Sequence, residues 1–127
     1  SWIVDRFHVS TQVWQQRAHG RHYDFAWLED GLGRLGFHIV LCTRRPSSFA
    51  AARAARLAVS GNPAQYDDLA VFVDEQERFR AVLRGTDGWP GTRLPLLEVD
   101  LSDDDVGAAA ERVADWLTTT GGLWATE

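Results

Sequence analysis

The chain has 127 residues, 45% hydrophobic and 24% charged, which is one domain's worth of polypeptide and excludes a disordered, collagen-like or coiled-coil chain. Its formal charge of -5 argues against a nucleic-acid polymer as partner, because phosphate backbones select clustered positive charge. The apolar runs are short and broken by Arg, Asp or Gly, so neither a membrane span nor a signal peptide is expected, and a cytoplasmic protein is.

In chain order, Trp2 to Val4 reads as a short buried strand from which Asp5 and Arg6 emerge. Helices follow at 8–19 and 24–35, the second carrying Phe25, Leu28, Leu32 and Leu35 at helical spacing and stopping at Gly36. Phe37 to Cys42 is the clearest strand, six residues that point to burial on both faces. Thr43 to Arg45 leave its carboxyl end. Pro46 opens an Ala-rich helix that runs to Leu57, and Ser60 to Pro63 break it. Asp67 or Asp68 starts the next helix, whose apolar face is Leu69, Phe72, Val73, Phe79, Val82 and Leu83. After a turn-rich loop from Gly85 to Pro95, Leu96 to Leu101 is a third strand. Ser102 with Asp105 resembles a capping box for the last helix, one side of which carries Val106, Ala109, Ala110, Val113, Ala114 and Leu117. Residues 118–127 form a polar tail in which Leu123 and Trp124 could dock.

This order implies an α/β fold, a three-layer α/β/α arrangement around a parallel sheet. Three parallel strands are few for such a sheet. The chain also opens at Ser1 directly on an apolar segment and contains no Met. A single domain over 1–127, incomplete on its amino-terminal side, is the expectation.

Ligands of open parallel sheets bind outside the carboxyl ends of the strands. The residues expected there are Asp5, Arg6, Arg44 and Arg45. A carboxylate beside a guanidinium suits phosphoryl transfer, the first holding magnesium or its water and the second gripping phosphate oxygens; the alternative is a buried Asp–Arg ion pair. The segment Asp5-Arg6-Phe7-His8-Val9-Ser10-Thr11-Gln12-Val13-Trp14-Gln15 resembles the thymidylate kinase segment Asp-Arg-Tyr-x-x-Ser-x-x-Ala-Tyr-Gln, and more closely its Asp-Arg-Phe-His variant. More weakly, the strand at 37–42 and the helix ending in Arg53-Ala54-Ala55-Arg56 are similar to that family's fourth strand and the helix entering its lid. Leu57 to Tyr66 would be the lid.

The resemblance implies a P-loop NTPase-like fold and transfer of the ATP γ-phosphoryl group to a nucleotide or nucleoside. It places Asp5 beside Mg2+, contacting the metal through water, and Arg6 between acceptor and donor phosphates. Phe7 and Trp14 would pack on the acceptor's base or sugar, Ser10 and Gln15 would stand at polar pocket positions, and Arg53 and Arg56 would reach ATP. It also implies a homodimer, since these kinases pair through helices. The sequence departs from the family in two ways. All 13 basic residues are Arg, so the Gly-rich phosphate loop with its Lys lies outside these residues and the chain alone should bind ATP weakly. Trp14 replaces a Tyr, which removes a hydroxyl near the sugar. Two other classes stay open: a non-catalytic α/β binding or interaction module, and a kinase for an antibiotic or metabolite on the same scaffold.

The remaining signals carry bland readings. Arg53 and Arg56 could equally be solvated helix residues. His19 and His22 lack further metal ligands, Asp103 to Asp105 suit a helix amino end, and Cys42 reads as a core thiol that cannot form an internal disulfide.

Overall fold

Helix punctuation is set by a few residues with special backbone or capping chemistry. In the computed structural model, which describes residues 3–60 and 68–121, α1 spans His8–His19 and ends at Gly20, a left-handed residue with φ 64° whose N–H bonds the carbonyl of Gln16 while the Arg21 N–H bonds that of Gln15. Then come α2 (Ala26–Arg34), β1 (Ile39–Thr43), a 3-10 turn at Pro46–Ser48 and α3 (Phe49–Ser60). Helix α4 (Leu69–Arg84) is capped by Asp68, whose carboxylate accepts from the Ala70 N–H at 3.0 Å. The last two elements are β2 (Leu96–Asp100) and α5 (Val106–Thr120).

Among the described residues the fold is a mixed α/β arrangement of five helices and a two-stranded parallel sheet, in register from Ile39 beside Leu96 to Thr43 beside Asp100. None of these helices is long and apolar enough to cross a membrane. Helix α4 meets the sheet through Arg80 and Arg84, both bonded to Glu98 of β2. Helix α5 also packs on β2, and at its end Thr120 bonds His38, just before β1.

Helices α1 and α4 run antiparallel. Arg17 near the end of α1 reaches Glu75 in the first half of α4. The start of α1 is tied through His8 and Glu29 to Thr92 and Arg93, and Thr92 in turn bonds the carbonyl of Leu83 near the end of α4. Between them Val13, Ala81, Val82 and Trp89 form the core cluster, with Val9 and Phe79 packed on it.

Several expectations are corrected. Ile3 and Val4 form no strand, and Ile3 is 97% exposed; β-propensity favours a pleated conformation but supplies no ladder partner. Trp2 lies outside the described residues. Phe37 precedes β1 because its N–H is spent on the carbonyl of Leu32 at the end of α2. Leu57 to Ser60, expected in a lid, is the last turn of α3, and the rest of that expected lid lies outside the described residues. The expected tail begins inside α5, which continues to Thr120; Leu123 and Trp124 lie outside the described residues. Ser102 does not cap α5. Asp105 does, accepting from the Ala108 N–H at 3.0 Å, while the Ser102 hydroxyl is committed to Asp100 and the Arg45 N–H.

The loop after α4 closes through two glycines. Gly85 (φ 78°) and Gly91 (φ 81°) are both left-handed, and a Cβ on Gly85 would lie 3.1 Å from the backbone of Pro90 and Gly91. This closure holds Trp89 in the core. Gly85→Ala is therefore expected to lower stability by at least about 2 kcal/mol, from the left-handed backbone and the contact together, as read by urea denaturation; a change within error would show that the loop shifts freely.

Candidate functional site

At the carboxyl end of β1 the backbone of Arg44 has no strand partner for further pairing, and a side chain supplies one. Gln76 of α4 accepts from the Arg44 N–H and donates to the Arg44 carbonyl, both at 2.8 Å. The amide thus satisfies both backbone groups at the strand's end and fixes where the Arg44 side chain starts. That side chain joins Arg53 and Arg56 of α3 in lining an open groove of about 330 Å³, floored by Phe49, Ala52 and Phe72. The rings of Phe49 and Phe72 are nearly parallel, 10° apart with centroids separated by 6.4 Å. Three guanidiniums over an aromatic floor can take phosphate oxygens and a planar base at once. Arg53 has no ion-pair partner among the described residues, whereas Arg44 pairs with Asp104.

Beside the groove, Asp100 ends β2. The hydroxyl and then the N–H of Ser102 hold its carboxyl below the usual carboxylate range, with smaller contributions from Arg45 and Arg44. Arg45 points to Asp103 at 3.6 Å and is not among the groove residues.

The segment that carries the kinase resemblance stands elsewhere. Asp5 and Arg6 are exposed, and among the described residues neither has a hydrogen bond or ion pair, so the alternative of a buried pair is not what forms. Arg6 is left-handed at φ 64°. Phe7, just ahead of α1, and Trp14 within it are both exposed, and the rings of Trp14 and His19 meet edge to face. Ser10 is half-buried, as is Gln15, whose Oε1 is enclosed without a partner. The groove meets α4 at Leu69 and Phe72, while the start of α1 is anchored near Leu83. At 1.5 Å per residue, Phe72 and Leu83 are about 16 Å apart along α4. The structure therefore brings Arg53, Arg56 and Arg44 together but leaves Ser10, Trp14 and Gln15 on α1 and Asp5, Arg6 and Phe7 ahead of it, none of them among the groove residues. Arg44 belongs to β1's carboxyl end as expected; Asp5 and Arg6 do not, because no strand forms before them.

Two polar residues were missed by sequence reasoning. Glu29 of α2 is buried and accepts from Thr92 Oγ1 and the Arg93 N–H, both at 2.8 Å, and from His8 Nε2 at 2.8 Å. Gln76 is the second. Both interrupt an apolar stripe at helical spacing, Glu29 between Phe25 and Leu32 and Gln76 between Phe72 and Phe79, and that interruption is the signal that could have found them.

A second groove, about 520 Å³, is larger, and its arginines are ion-paired within the protein: Arg78 with Asp74, and Arg80 and Arg84 with Glu98. Among the described residues no cluster of three or more His, Cys, Asp or Glu could hold a metal ion. A magnesium ion carried by a nucleotide needs only one or two protein carboxylates, because phosphate oxygens and water complete its shell, and no carboxylate is among the residues that line the Arg44–Arg53–Arg56 groove. No protein-family model, curated protein or solved structure matches this chain.

Proposed function

We propose that this chain binds a nucleoside polyphosphate at the Arg44–Arg53–Arg56 groove, as the nucleotide-holding part of an ATP-dependent phosphotransferase resembling thymidylate kinases. The groove carries the reading: paired cations one helical turn apart, a third from a parallel strand's carboxyl end, and an aromatic floor beneath them. Phosphates lie across the guanidiniums and the base rests against Phe49. The γ-phosphoryl group passes to a nucleotide or nucleoside, with a Gly-rich phosphate loop supplied by polypeptide outside these 127 residues. Bound magnesium supplies charge neutralisation at the phosphates, and Asp5 would hold its water. Arg6 would neutralise the transferred group, and Phe7, Ser10, Trp14 and Gln15 would face the acceptor. A P-loop NTPase-like three-layer fold, with α4 and α5 covering opposite faces of the sheet, and a homodimer through helices belong to the same proposal.

One observation favours a second reading, a nucleotide-binding module without transfer activity: Asp5 and Arg6 stand at the opposite level of α4 from the groove.

Without a phosphate loop, affinity rests on a few charge-assisted contacts, and Kd for ATP is expected near about 1 mM, equivalent to about 4 kcal/mol. Titrating the chain with ATP and with inorganic tripolyphosphate, followed by amide and Arg Nε–H NMR shifts, should move signals of Arg44 and α3. Arg53→Ala should weaken binding about tenfold, the loss of one hydrogen-bonded phosphate contact. Absence of any shift at Arg44 or α3 at roughly ten times that concentration would remove the groove as a nucleotide site.

A further inference from the structure

The groove cation contributed by β1 is already engaged by the protein itself. Arg44 donates to the Asp104 carboxylate, and that carboxylate comes from the β2–α5 turn rather than from the groove wall. The turn is held tightly. Asp104 donates its N–H to Leu101 at 3.0 Å, its carbonyl accepts from Val106 at 3.0 Å, and Ser102 binds both Asp100 and the Arg45 N–H. The backbone of Asp104 is left-handed, φ 56°, a conformation that Asp and Asn tolerate better than most residues. Its side chain is 67% exposed and that of Arg44 22%. An ion pair whose carboxylate is so open to water is weak, so Asp104 can be exchanged for another anion without unfolding the turn.

We propose that Asp104 is an internal competitor for phosphate: its carboxylate sits on Arg44 and is displaced when a ligand's phosphate takes its place. The inference rests on the polyphosphate reading of this groove and deepens it. Affinity at the site is then set partly by the β2–α5 turn, and only an anion that outbids a carboxylate gains the Arg44 guanidinium. The position of Asp103 offers an internal control, because it pairs with Arg45, outside the groove, and differs from Asp104 by one residue and no charge.

The test is an NMR titration of the chain with inorganic tripolyphosphate. Asp104→Asn keeps the turn residue's tolerance for left-handed backbone while removing the charge, and it should tighten binding about threefold. Asp103→Asn should tighten it clearly less. Asp104→Asn combined with Arg44→Ala should show no gain over Arg44→Ala alone, since the competition acts only through Arg44. Unchanged or weaker binding by Asp104→Asn overturns the proposal, as does an equal gain from Asp103→Asn, which would be plain long-range electrostatics. If the unaltered chain does not bind tripolyphosphate, the polyphosphate reading falls and this inference with it. If it binds and Arg53→Ala weakens binding while Asp104→Asn has no effect, this inference alone falls.

Discussion

Glu29→Ala is expected to lower folding stability by about 3 kcal/mol, read as a fall in the urea midpoint at unchanged slope. A carboxylate only accepts hydrogen bonds, so the three groups meeting it are all donors: His8 Nε2–H, the Thr92 hydroxyl and the Arg93 N–H, each at 2.8 Å. Truncation leaves these donors without their acceptor in a buried site, and each unsatisfied group costs about 1–3 kcal/mol, partly relieved where water can enter. The His8 ring cannot compensate, because its Nδ1 is already enclosed without a partner. Glu29→Gln retains an acceptor for Thr92 and Arg93, and about half of the loss should return. The same carboxylate anchors the first turn of α1, so Glu29→Ala should also loosen the backbone ahead of His8, where Asp5 and Arg6 stand; hydrogen exchange at Val9 to Val13 measures this. A stability change under about 0.5 kcal/mol would mean that the three donors find water at once.

Why Glu29 was not foreseen shows where local sequence stops informing. Helix α1 falls on the expected residues 8–19 because a helix is specified by neighbours along the chain, and Asp68 and Gly85 punctuate α4 for the same reason. The groove was partly legible: Arg53 and Arg56 are one turn apart wherever the helix lies, and Arg44 follows a strand that does form. Partners distant in sequence were not. A ladder for Ile3 and Val4, the Gln76 amide on Arg44 and the Glu29 carboxylate under His8 all depend on packing between elements, as does the antiparallel course of α1 on α4. Ser102 illustrates competition rather than distance: its hydroxyl suits a helix cap, but Asp100 and the Arg45 N–H at the strand ends claim it first.

Arg6→Ala separates the two functional readings, and under the phosphotransferase reading it carries the largest effect. In a gene product that includes a Gly-rich loop ending in Gly-Lys-Ser or Gly-Lys-Thr ahead of Ser1, turnover is expected to fall by about 10²-fold or more. A guanidinium that neutralises charge developing on a transferred phosphoryl group is worth that much. ATP affinity should hold, because Arg6 is not a groove residue, so the loss appears in kcat and not in the nucleotide's KM. In this structure Arg6 has no partner among the described residues to release and is exposed, so the substitution should leave folding stability within about 0.5 kcal/mol. Any loss of turnover is then chemical rather than structural. For transfer to occur, the start of α1 must approach the groove from about 16 Å along α4, which calls for a closure of the kind that completes a catalytic site. Turnover unchanged by Arg6→Ala, across a panel of nucleosides and nucleotides, would remove Arg6 from the chemistry and leave the groove as a nucleotide-binding module.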